Sequence, residues 1–124
     1  MPLSDPPDLS ARFTFVTPNL IHDMHDGTVA DGDGWLSTFI PKVTSSGEYA
    51  AGTSAVFVTW DEDDQLGTNQ VPTLVIAPSV APGARVADRL DHYAMLRATQ
   101  EMLGVTPLLG NAATAADMRA PFNL

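Results

Sequence analysis

The sequence contains no cysteine, which excludes disulfides, thiolate metal sites and thiol nucleophiles. Basic residues are scarce: 6 lysines and arginines face 15 aspartates and glutamates, for a net charge of −9. That balance argues against non-specific nucleic-acid binding, which needs basic surface to neutralise phosphates. It equally disfavours anionic membrane surfaces. No apolar run approaches the roughly 18 residues of a membrane-spanning helix, so no transmembrane segment is expected. No phosphate-binding glycine-rich loop and no Gly-x-Ser-x-Gly elbow occur, and no serine or threonine stands in a context that marks an activated nucleophile. The start, Met1 to Asp8, has neither the basic residues nor the apolar core of a secretory signal. Its prolines suit neither a helix nor a central strand, so residues 1–11 read as a disordered lead-in.

What remains is a chain of 124 residues, 44% apolar, enough for one small domain. Ala55-Val56-Phe57-Val58-Thr59-Trp60 reads as a buried strand, because β-branched and aromatic residues suit a pleated, packed surface. It stops at Asp61-Glu62-Asp63-Asp64. Four clustered carboxylates repel one another unless water or a cation neutralises them. Two readings stand: oxygen ligands for a hard divalent cation, or a solvated acidic turn closed by Gly67-Thr68-Asn69.

Four further elements accompany this strand. Arg12 to Thr17 alternates partly and reads as a strand. Trp35, Leu36, Phe39 and Ile40 share a helical face, with Pro41 limiting its regularity; His22 to Gly34 reads as a loop. Thr73 to Ala77 reads as another buried strand, ended by Pro78. A helix is expected from about Asp88, as its cap, to Leu103, with Tyr93, Leu96 and Leu103 near one stripe and Gly104 closing it. Strands alternating with helices predict an α/β fold with a mostly parallel sheet and flanking helices. Three strands and two helices make a thin sheet of that kind, since parallel sheets need both faces covered.

His22-Asp23-Met24-His25-Asp26 gathers imidazoles and carboxylates that can ligate a metal or stabilise charge on a phosphate; a solvated loop with capping aspartates is the other reading. On two strands of one parallel sheet, this cluster and Asp61-Glu62 would converge at a single edge. His92 falls in the first turn of the late helix, where it can touch an anion or simply face water. Asp31-Gly32-Asp33-Gly34 echoes a calcium loop but lacks the remaining ligands.

Taken in order, Phe15 to Gly27, Thr59 to Asp64, Val71-Pro72, Val75 to Val80, Asp91 to Arg97 and Pro107 to Gly110 resemble the bacterial phosphoesterase family. The family holds phospholipases C and acid phosphatases and belongs to the alkaline-phosphatase superfamily; Met118 to Phe122 resembles the end of its actinobacterial branch. The likeness covers residues 12–124 and corresponds to the C-terminal portion of such a domain. It implies a partial alkaline-phosphatase-like fold and metal-dependent hydrolysis of phosphate esters by a parent enzyme. It puts a divalent metal ion on Asp61 and Glu62, and the phosphoryl contact on His25, with His22 second and His92 as a late participant. The family's early acidic-Asn metal motif and its nucleophile have no counterpart here, so the resemblance implies a missing N-terminal half or a homo-oligomer as partner. Family members are often secreted or periplasmic. Where they carry His before Val-Pro, this chain has Gln70, which hydrogen-bonds but does not take up a proton at physiological pH. A non-catalytic degenerate fragment and a simple cation-binding module are the competing readings.

Overall fold

The computed structural model describes residues 4–124. The chain divides into two compact units, one ending at Thr53 and the other running from Ser54 to Leu124.

The first unit is helical. Helix α1 spans Val29–Thr44 and helix α2 spans Gly47–Ala50. Thr28 and Asp31 form a reciprocal capping box at the start of α1, which satisfies two orphan backbone donors. The helix therefore begins well before Trp35, inside the stretch expected to be a loop. Asp31 to Gly34 lies within it, so the faint calcium-loop pattern is helix. Trp35, Leu36, Phe39 and Ile40 are half-buried together, as their spacing predicts, and the Trp35 and Phe39 rings stack at 4.7 Å. Pro41 sits in the last turn, where it lacks the N–H that would bond the carbonyl four residues before it. Ser46 caps α2 through the Tyr49 amide.

Residues 12–17 form no strand. Phe13 and Phe15 are exposed, Phe15 by 80%, and no described strand lies alongside them. The lead-in begins in residues 1–3, outside the described residues. From residue 4 onward it makes short-range bonds, and Asp5 pairs with Lys42 at 2.8 Å.

The second unit holds β1 (Val56–Thr59) and β2 (Thr73–Ile76), close to their expected positions. They pair antiparallel, with Val56 opposite Ile76 and Thr59 opposite Thr73. The expected parallel sheet is thereby overturned: among the described residues the sheet has two strands and the rest of the regular structure is helical. The cause is the connection. A parallel pair needs a crossover, usually helical, whereas residues 60–72 form a loop that returns the chain directly beside β1.

Helix α3 spans His92–Leu103, capped by Asp91 through the Ala94 amide rather than by Asp88, and closed by Gly104 in the left-handed region. Its buried face is Ala94 and Ala98, packed with Met118, Phe57, Val75 and Phe122; Tyr93 and Leu96 are exposed, contrary to the expected stripe. Small residues let the strands and tail approach closely, so the apolar face of this helix is its alanine face. A 3-10 turn at Gly110–Ala113 and helix α4 (Arg119–Phe122) fold back on α3. Arg97 donates to the Ala115 carbonyl at 2.6 Å, and the buried Gln100 accepts from the Leu109 amide at 3.1 Å. Glu101 lies between Arg97 and Arg119, 2.8 and 3.8 Å from their nitrogens.

Candidate functional site

The sequence-predicted residues fall into two groups, one in each unit. The histidine loop belongs to the first. Asn19 Oδ1 accepts from the Ile21 and His22 amides, and its carbonyl accepts from Asp23. Asp23 Oδ1 then accepts from the His25 amide at 2.9 Å. Met24 takes a positive φ of 74°, and its side chain lies against Gly32 so closely that a Cβ there would come within 2.8 Å. Gly27 is required more strictly: a Cβ would stand 2.0 Å from the Ile21 carbonyl oxygen. Sequence reasoning passed over Asn19, Gly27 and Gly32 as positioning residues. Asn-Leu-Ile-His is an Asx-turn pattern and could have pointed to the first.

The two histidines differ in what the loop leaves them. The His22 ring stacks on Trp35 at 6.3 Å with an interplanar angle of 18°, and is half-buried. His25 is exposed, and among the described residues only its backbone amide is engaged. Hydrogen bonds from the Thr28 hydroxyl and amide hold the Asp31 carboxyl below the usual carboxylate range, with His22 adding a smaller charge attraction.

The acidic loop belongs to the second unit, and its four carboxylates divide by role. Asp63 accepts from the Gln65 amide at 2.8 Å and the Asn69 amide at 2.7 Å; Asp64 accepts from Leu66. These two build the turn, as capping aspartates do. Asp61 and Glu62 are exposed, and among the described residues no amide or cation is bonded to either carboxylate. Gln70 is exposed in the same loop.

His92 joins this group. Its Nε2 lies 3.1 Å from the Asp61 carbonyl oxygen. A carbonyl only accepts, so Nε2 carries the proton and Nδ1 is the open acceptor of the neutral ring. The first residue of α3 thus ties down the peptide between the two exposed carboxylates. At the base of the loop, Thr59 and Thr73 hydroxyls meet across the strands at 2.9 Å.

The expected convergence on one sheet edge is corrected. It required both clusters to follow strands of a shared parallel sheet, and neither that sheet nor the first strand exists among the described residues. The structure brings Asp61, Glu62 and His92 together; His22 and His25 lie in the other unit. Adjacent carboxylates suit a hard cation, but they supply only part of its oxygen shell. Among the described residues no group of three or more such side chains is arranged to hold a metal ion. The residues present therefore fit a partial shell rather than a closed site.

A family model described as the phosphoesterase family matches residues 11–106. The chain is 36% identical over 102 residues to a phosphatidylinositol-3-phosphatase of Mycobacterium tuberculosis, covering 82% of this chain and 33% of the relative. It is 26% identical over 93 residues to a probable acid phosphatase of Kluyveromyces lactis, covering 72% of this chain and 22% of that one. The chain thus spans a third or less of the length of these curated relatives. No solved structure matches it. With the family match extending over most of its residues, the chain belongs to the phosphoesterase family.

Proposed function

We propose that this chain supplies part of the metal and phosphate site of an enzyme that hydrolyses phosphate esters. The observation that carries the reading is the division of labour in the acidic loop: Asp63 and Asp64 are spent on the turn, while Asp61 and Glu62 are left open beside a backbone anchored by His92. In this reading Asp61 and Glu62 ligate a divalent cation, which supplies charge neutralisation to the phosphoryl oxygens. His25, exposed on a braced loop, contacts the phosphoryl group; His22, held on Trp35, is the second choice. His92 positions the ligand pair. The substrate class is a phosphate ester, and the name of the mycobacterial relative favours a monoester on a lipid headgroup.

The test is a titration of the purified chain with magnesium, calcium, manganese and zinc, followed by tryptophan fluorescence, since Trp60 adjoins the ligand pair. An Asp61→Asn/Glu62→Gln double variant is the control. Saturable binding that the double variant loses is the expected result. No binding, or equal binding in both proteins, overturns the assignment and leaves the loop as a solvated turn. A non-catalytic reading is favoured by one observation, the lack of a three-ligand group among the described residues. It predicts cation binding with no affinity for inorganic phosphate, with or without His25→Ala.

A further inference from the structure

The lead-in is fastened to the first unit. From residue 4 it folds on itself: Ser4 Oγ accepts from the Asp8 amide at 2.9 Å, and Asp8 Oδ1 accepts from the Ser10 amide at 3.0 Å. Pro6 and Pro7 restrict the backbone between these bonds, so less chain entropy is lost when the segment is held. Asp5 Oδ1 then accepts from Lys42 Nζ at 2.8 Å, and Pro7 is half-buried. A cavity of about 140 Å³ is lined by Ser4, Asp5 and Pro7 of the lead-in and by Trp35, Phe39 and Lys42 of α1. All of these residues belong to the first unit.

Two features make this contact a reversible one. Lys42 is the only lysine of a chain with net charge −9, so a segment carrying Asp5 and Asp8 is repelled by most of the surface and attracted at this point. The apolar part of the contact is incomplete, because the cavity has room for several waters between proline and aromatic rings. The ion pair therefore carries a large share of the attachment, and its side chains are exposed, Lys42 by 43% and Asp5 by 75%. Such pairs are weak and are weakened further by salt. Trp35 links the contact to the histidine loop: it lines the cavity, stacks on Phe39 at 4.7 Å and seats the His22 ring at 6.3 Å.

We propose that residues 4–8 are a strap, latched by Asp5 and Lys42 over the Trp35–Phe39 shelf, whose release uncovers Trp35 and changes the seating of His22. Proline laid on aromatic rings is a common mode of segment recognition, and here the segment is supplied by the same chain. The strap stands whether or not His22 meets a phosphoryl group, so it goes beyond the phosphate-site reading.

The test is acrylamide quenching of tryptophan emission in a Trp60→Phe background, where Trp35 is the sole emitter. It is read at low and high sodium chloride, with circular dichroism verifying the fold of each protein. The quenching constant is expected to rise about twofold with salt, the scale of an exposed ion pair. Asp5→Asn and Lys42→Gln should each show that rise already at low salt, and no further response. The charge swap Asp5→Lys/Lys42→Asp should restore both the protection and its salt dependence. The imidazole proton resonances of His22 should move in step with quenching, since its ring lies on Trp35. Quenching that neither salt nor the single variants alter, a swap that behaves like the single variants, or His22 resonances that stay fixed while Trp35 is uncovered would each overturn the proposal.

Discussion

At the scale of single residues, His92 and Gly27 carry the most specific consequences. His92 donates from Nε2 to the Asp61 carbonyl, and it does so whether the ring is neutral or protonated. If His92 acts by positioning, His92→Gln keeps a donor at comparable reach and retains cation affinity, while His92→Ala lowers it about tenfold, the usual cost of removing a group that orients a ligand. Fluorescence titration of the three proteins checks this; equal loss in both variants would mean that the ring itself takes part. Gly27 is fixed by sterics instead. With a Cβ 2.0 Å from the Ile21 oxygen, Gly27→Ala must displace the turn that presents His25. A loss of about 1–3 kcal/mol in urea unfolding is expected, as for other overpacked positions. Neither residue was legible as a positioning group from the sequence. Each depends on a contact whose partner, Asp61 or Ile21, is identified only by the folded backbone.

At the scale of elements, propensity was readable and pairing was not. β1 and β2 were found because β-branched residues crowd into two short runs, and α3 because Gly104 closes it. Their arrangement was not legible, because alternating strands and helices imply a parallel sheet whereas the 60–72 connection holds no helix. Residues 12–17 show the complementary failure: partial alternation promises a buried face, yet Phe13 and Phe15 meet no strand among the described residues. The start of α1 was missed because glycines and aspartates look like a loop, although Thr28 with Asp31 three residues on is a capping signature. That cap has measurable weight. Thr28→Ala should lower stability by about 1 kcal/mol. The Asp31 carboxyl is held below its ordinary pKa by Thr28, so its contribution is present above the unfolded carboxylate value. It is lost as pH falls through the lower, folded value. Asp31→Asn should remove that part of the acid sensitivity of α1, seen as a flatter dependence of helical circular dichroism on pH in the acid range. Asp117, held low by the Arg119 and Ala120 amides at the start of α4, follows the same sign.

At the scale of the whole molecule, the core sets the limit. No large side chain is fully buried among the described residues, and the second unit is organised around Ala94, Ala98 and Met118. Alanines give close approach but little area removed from water, and apolar burial is the chief term opposing chain entropy. Dispersed across the surface are Phe15, Val29, Leu66, Leu74 and Leu109, each more than half exposed. The denaturant slope scales with the surface uncovered on unfolding, so a chain that buries this little should show a shallow one. The expectation is a urea transition with a slope of about 1 kcal/mol/M, at the low end for small proteins. A steep slope would mean that the isolated chain already has a complete core. It would count against the view that alanine packing limits the stability of this fold.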